Sequence, residues 1–165
     1  MIKVSDVLRE SIDSPLLSDL RTCYSIDLNV SSSDLDGFGH VNNANYIQWL
    51  DQVHWSHLAY MGITGDMVTK LNCGFVVRHT DVTYLNPLVE NDTIRVGCSI
   101  IGFDKNFRLT RQFQLVRLSD SVTVLKGEIL YVSIDIQKGK LKRIPKEYSE
   151  LIIPHVPTVH DDVTI

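Results

Sequence analysis

The feature that most limits how this chain can fold is a change of period near residue 62. Over 44–62, "ANYIQWLDQVHWSHLAYMG", the apolar residues Tyr46, Ile47, Trp49, Leu50, Val53, Leu58 and Met61 recur every three or four positions, the spacing of a helix. Asn42 or Asn43 can cap its start and Gly62 can end it. Aromatic and aliphatic groups fall on more than one face, which predicts a helix covered on most sides. From residue 74 the period becomes two. Four segments, 74–88, 92–103, 106–118 and 121–136, are rich in Val, Ile, Thr, Phe and Tyr, and turn-forming "NPLVEND", "GFDKN" and "SDS" separate them. Ile94, Val96, Cys98 and Ile100 mark one core-facing side, and "TCYSIDLNV" (22–30) alternates in the same way. One long helix and five strands pack most economically as an α+β domain. The expected form is one curved antiparallel sheet wrapped around the helix, its last four strands forming a meander.

At 165 residues the chain suits a single domain over 21–153, with an N-terminal extension over 1–20 and a tail over 154–165. "SDVLRESIDSPLLSDL" (5–20) reads as a short helix and turn, with Ser5 as cap and Pro15 as break. "GKLKRIPKEYSELI" closes the domain. A net charge of −4 argues against a nucleic-acid partner, and no run approaches the ~18 apolar residues that membrane insertion requires. Cys23, Cys73 and Cys98 are an odd set without a CxxC pair, which favours reduced thiols and a cytoplasmic protein.

Chemistry concentrates in "DLDGFGHVNNANY" (34–46). Asp36 precedes the helix between Asp34 and the glycines Gly37 and Gly39, and His40 and three asparagines follow. Glycines let a ligand approach the backbone, and the first amides of a helix can polarise a carbonyl or hold an oxyanion. Asp36 can serve as base or nucleophile and His40 can move a proton, a set suited to acyl hydrolysis. The same residues also make good turns and caps for purely conformational reasons. His54 and His57 lack the HExxH context of a metal site, so packing or hydrogen bonding is expected of them. Asp51 falls on a polar stripe with Gln48 and Gln52 that should meet solvent. Arg78, Lys105, Arg108 and Arg111 can bind phosphates or an acidic surface, but solvated strand faces account for them more simply.

"DLDGFGHVNNANYIQWLDQ" resembles the signature of hotdog-fold thioesterases, the superfamily of 4-hydroxybenzoyl-CoA thioesterase and the YbgC-like acyl-CoA thioesterases. It is also similar to the D-L-D-x-N-x-H-V-N-N stretch of acyl-ACP thioesterases. The similarity continues through "FVVRHTDVTYLNPLVENDTIRV", with its Y-x-x-P corner, to "GKLKRIP", covering roughly 22–147. The resemblance implies the hotdog fold, a long helix wrapped by an antiparallel sheet. It also implies hydrolysis of an acyl-CoA or acyl carrier protein thioester with no metal or other cofactor. Asp36 matches the family's catalytic aspartate, and His40 matches the histidine of the acyl-ACP branch, although Phe38 stands where that branch has asparagine. Gly39, Asn43, Asn45 and Tyr46, with Gly74, Phe75, Val76 and Arg78 from the strand after the helix, are the implied substrate-binding residues. Amides near Gly74–Val76 or at the helix start would polarise the thioester. Family members pair strand edge to strand edge, implying a homodimer or dimer of dimers with sites at the subunit boundary. The apolar helix suggests a hydrophobic acyl group. A hotdog hydratase or dehydratase and a non-catalytic acyl-CoA binder are the alternatives; the first lacks its H-x-x-P-G context here.

Overall fold

A computed structural model describes residues 10–11 and 24–157. The expected N-cap at Ser5, the break at Pro15, Cys23 and the end of the C-terminal tail lie outside the described residues.

In chain order the elements are β1 (Glu10–Ser11), β2 (Tyr24–Asn29), α1 (Asn43–Tyr60), α2 (Gly65–Leu71) and β3 (Cys73–Tyr84). β4 (Thr93–Phe103), β5 (Arg108–Arg117), β6 (Val122–Asp135), β7 (Lys140–Leu141) and α3 (Lys146–Ile152) follow. Glu10–Ser11, within the stretch that suggested a short helix, is instead extended and pairs with Tyr24 and Ser25 at the open edge of β2.

All pairings are antiparallel, in the order β1-β2-β4-β5-β6-β3, with β7 on the far end of β6. The four later strands therefore do not form a simple meander. β4, β5 and β6 are consecutive neighbours, but β3 crosses the sheet to pair with β6. The edge of β4 that β3 would have used is taken by β2, where Ile26 lies opposite Val96. A two-pronged ion pair reinforces that contact: Arg95 Nε and Nη2 donate to the two carboxylate oxygens of Asp27 at 2.7 and 2.8 Å. β3 is thus a twelve-residue edge strand, and most of it is exposed.

The inner face carries Ile26 and Leu28 from β2, Ile94, Val96, Cys98 and Ile100 from β4, and Leu109, Phe113 and Leu115 from β5, all buried. α1 lies across this face. Asn42 caps it by accepting from the Ala44 amide at 2.9 Å, and Gly62 follows its C-cap Met61. Its buried side chains, Tyr46, Trp49, Leu50, Val53, His54, His57 and Leu58, form one stripe; each apolar member contributes about 1.5–3 kcal/mol on burial. The opposite flank, with Gln48, Asp51, Trp55 and Tyr60, is exposed. A single protomer therefore covers one side of the helix, not most of it, because one sheet layer faces only one stripe. No described helix is long and apolar enough to cross a membrane.

The last helix locks the sheet end. The buried Tyr148 hydroxyl donates to Cys73 O at 2.8 Å, and Lys142 Nζ caps the last carbonyls of α2 at Leu71 and Asn72.

Candidate functional site

The polar loop before α1 is a closed, bonded turn. The Asp36 amide donates to His40 O at 2.7 Å, the Gly39 amide to Asp36 O at 3.1 Å, and Leu35 bridges Val41. Gly39 sits at φ +76°, a conformation that costs a residue with a side chain roughly 1–2 kcal/mol. Asp36 Oδ1 accepts the Phe38 amide at 2.8 Å. No donor among the described residues reaches the other carboxylate oxygen. The conformational reading of this motif is therefore correct for half of the Asp36 carboxylate, and the other half is available for chemistry.

Two ties hold the loop against the helix and the sheet. Asn45 Nδ2 donates to Asp34 O at 2.8 Å, and the Val41 amide donates to Leu88 O at 2.9 Å. Asp36, His40, Val41, Asn43 and Tyr46 then face Tyr84, Leu85, Asn86 and Pro87 across an open cleft of about 320 Å³. Tyr46 packs edge-on against Tyr84 at 5.4 Å, and the Tyr84 hydroxyl donates to Asn43 O at 3.3 Å. Burial raises the Tyr46 phenol above its ordinary value, opposed by a hydrogen bond from the Leu88 backbone.

The structure brings Asp36, His40, Asn43 and Tyr46 together and gives Gly39 and Asn45 the task of shaping and tethering the loop. Gly74, Phe75, Val76 and Arg78 are elsewhere. Gly74 lies ten residues along β3 from Tyr84, about 33 Å in extended chain, and pairs with Ile134. Gly74 and Phe75 are buried, whereas Val76 and Arg78 are exposed at the sheet edge.

Tyr84 and Asn86 were missing from the sequence-derived site. The signal was the Y-x-x-P corner, visible but without a position until β3 is registered on β6. That register contains a bulge: Val77 pairs with Tyr131 and His79 with Leu130, so Arg78 is an extra residue. Before the bulge the odd positions of β3 share the inner face with Tyr131. After it, Thr80, Val82 and Tyr84 do. Gly127 makes room for this second half, since a Cβ there would meet Val82 Cγ1 at 2.6 Å and Asp81 O at 2.9 Å.

Helix amides are a poor source of carbonyl polarisation here. The Ala44 amide is taken by the Asn42 side chain and the Asn45 amide by Asn42 O at 2.9 Å. Asp51 is exposed as expected, and partial burial against the helix flank raises its carboxyl, opposed by the Trp55 indole N–H.

A second polar group lies beneath α1, about three turns beyond the cleft. Arg111, expected on a solvated strand face, is completely buried. Its alternation with Leu109, Phe113 and Leu115 puts it on the inner face, and that periodicity is the signal that could have located it. Arg111 Nη1 donates to His57 Nδ1 at 2.7 Å and to Cys98 Sγ at 3.5 Å. Arginine has no acceptor, so Nδ1 is the unprotonated ring nitrogen. Burial, then the guanidinium, pushes His57 down to about 2, and burial with Arg111 likewise holds His54 well below its ordinary value. Packing, as expected, claims His54, which stacks on Tyr131 at 4.0 Å.

Comparison with known proteins agrees with the fold. The family model described as the thioesterase-like superfamily matches residues 30–152. The long-chain acyl-CoA thioesterase FadM of Escherichia coli K12 is 25% identical over 74% of this chain and 92% of its own length. The chloroplastic acyl-acyl carrier protein thioesterase ATL3 of Arabidopsis thaliana is 26% identical over 74% of this chain, a match that spans 63% of the plant protein. A Staphylococcus aureus protein solved in complex with CoA shares the fold with a TM-score of 0.75 at 21% identity, covering 83% of this chain and 87% of that one.

Proposed function

The chain belongs to the thioesterase-like superfamily, and from that premise we propose that it hydrolyses acyl thioesters in the cleft between Asp36 and the Tyr84–Pro87 corner. The observation that carries this reading is the Asp36 carboxylate, fixed through one oxygen by the Phe38 amide and open through the other to a cleft that also holds His40.

Two sequences of bond changes fit that carboxylate. As a base, Asp36 takes a proton from water as the oxygen adds to the thioester carbon; the C–S bond then breaks and the proton passes to the departing thiolate. As a nucleophile, Asp36 adds to the same carbon and expels the thiolate, and water cleaves the resulting anhydride. His40 and Asn43 on the cleft wall favour the base, because they can hold a water beside it.

The oxyanion needs N–H donors, and the helix start has spent two of its own. The β3 edge offers outward-facing amides instead. A two-fold axis beside His79 would pair β3 with its copy and set the partner subunit's Gly74 next to Tyr84, closing the 33 Å gap at about strand spacing. A homodimer, with each site built from both subunits, is accordingly part of the proposal. The aromatic wall of Tyr46 and Tyr84, with Val41 and Leu85 beside it, suits a hydrophobic acyl group on coenzyme A or acyl carrier protein.

The test is release of free thiol from a panel of acyl-CoAs and acyl carrier proteins, run beside sedimentation of the protein at the assay concentration. Turnover of at least one hydrophobic thioester by a dimer or tetramer is expected. Acyl-CoA that is bound but recovered intact would instead make the protein a binder. A fully active monomer would remove the shared site.

A further inference from the structure

Two arginines on neighbouring strands use the same chemical edge in opposite circumstances. Arg95 presents Nε and Nη2 side by side to Asp27 and holds both carboxylate oxygens. Arg111, fully buried on the inner face, presents that Nε–Nη2 edge to no partner among the described residues. Among the described residues its hydrogen bonds run through Nη1 alone, to His57 and Cys98. Three more buried polar atoms close by also lack a partner among the described residues: the Tyr131 hydroxyl and both ring nitrogens of His54. The two rings stack, and Tyr131 and Ile129, opposite Leu109 and Arg111 on β5, fix their height on the sheet.

A guanidinium remains charged at any pH a folded protein tolerates, and a buried unpaired charge is strongly unfavourable. No carboxylate among the described residues lies within ion-pair distance of Arg111. Water would satisfy the N–H groups but supply no opposite charge. The Nε–Nη2 fork matches the two oxygens of a carboxylate, as Arg95 demonstrates in the same sheet. The Tyr131 hydroxyl adds a third donor, and a neutral His54 a fourth.

We propose that the Nε–Nη2 edge of Arg111, with the Tyr131 hydroxyl and the His54 imidazole, is a carboxylate-binding site in the core beneath α1. Two sources carry that group. One is the far end of an acyl ligand; this arm rests on the thioester reading above. His54 is eleven residues along α1 from Asn43, about 16 Å, so an apolar chain of roughly a dozen carbons would link a thioester in the cleft to a carboxylate at Arg111. Tyr46, Trp49, Leu50 and Val53 supply the apolar face between them. The other source is a small free carboxylate.

Two measurements on the whole protein separate these outcomes. Thermal unfolding is followed in sodium acetate and sodium formate against sodium chloride at equal ionic strength and pH, for wild type and Arg111→Met. Hydrolysis is compared for twelve-carbon acyl-CoAs that end in a methyl or a carboxylate. The acyl source predicts that wild type prefers the carboxylate-ended substrate and that Arg111→Met lowers kcat/KM for it about 10- to 100-fold, sparing the methyl-ended one. The free source predicts protection by acetate or formate that the Met variant loses, with no substrate preference. Tyr131→Phe, which keeps shape and packing, should weaken either effect about threefold to tenfold and decides the matter if the Met variant does not fold. Absence of both effects in wild type overturns the site. If no thioester is cleaved at all, the thioesterase reading fails and the salt comparison alone decides this one.

Discussion

The first and the fourth turns of α1 each gather polar side chains, and they differ in almost every other respect. At the first turn the residues are neighbours in sequence, the group is open to water, and the loop amides are bonded locally. At the fourth, Arg111, His54, His57, Cys98 and Tyr131 arrive from four elements into a buried region, where five polar atoms have no partner among the described residues. Water makes the difference. The open group can exchange hydrogen bonds with solvent and is free to serve a reaction, whereas in the closed group each protonation state is fixed by its surroundings.

Removal of a charged side chain at the open group should act on rate and leave stability alone. Asp36→Asn keeps the oxygen that accepts the Phe38 amide but loses charge and basicity. Turnover should fall about 10²–10⁴-fold, or roughly 3–5 kcal/mol of transition-state stabilisation, with the unfolding midpoint and the affinity for an uncleavable acyl-CoA little changed. Near-normal turnover would falsify the catalytic role of Asp36.

Acid should act on the closed group and on stability. His54 and His57 are held neutral in the folded protein, with pKa values far below 6.5, whereas the unfolded chain binds protons there near 6.5. The unfolded state therefore takes up more protons as pH falls, and stability declines from about pH 6.5 downward, by about 1.4 kcal/mol per pH unit for each histidine. His155, lowered less by burial and Arg111, adds in the same direction. Urea midpoints between pH 7 and 4.5, above the range where Asp104 and Asp135 contribute, should show the slope. His57→Leu should take away nearly half of it. A flat profile would mean that solvent or a bound anion already offsets the histidines.

The smallest effect is expected in the backbone of the open loop. Gly39→Ala meets no neighbour within 4 Å but must adopt φ near +76°, so stability should drop by about 1 kcal/mol, read from denaturant unfolding. If turnover falls much more than stability, the loop geometry around Asp36 is itself part of the catalytic arrangement.

The contrast also explains what could be read from the chain alone. Asn42 as cap, Gly62 as stop and the extent of α1 follow from local chemistry, and the structure agrees within two residues. Asp36, His40, Asn43 and Tyr46 converge because a single turn of chain contains them. Tyr84 and Asn86 join from forty residues away, and their place depends on β3 pairing with β6 rather than β4. That choice is made by competition for the edge of β4, which no local pattern records. Arg111 was legible in principle from its parity with Leu109 and Phe113, but charge is a poor guide to burial when the partners come from another helix or strand.

The extra residue at Arg78 bears on which changes in length the gene can tolerate. Arg78 is exposed and its side chain is not needed to hold the ladder, so many amino acids should serve there. Its presence as a residue is dispensable for the same reason. Loss of that single codon would join Val77 directly to His79 and restore an unbroken alternation with every later pair unchanged, so Thr80, Val82 and Tyr84 would keep the inner face. A codon gained between Thr80 and Tyr84 would instead carry Tyr84 to the outer face, and the aromatic wall opposite Asp36 would vanish without any residue of that wall having been altered. Position 78 should therefore be permissive to substitution and to deletion, and the stretch after it closed to insertion.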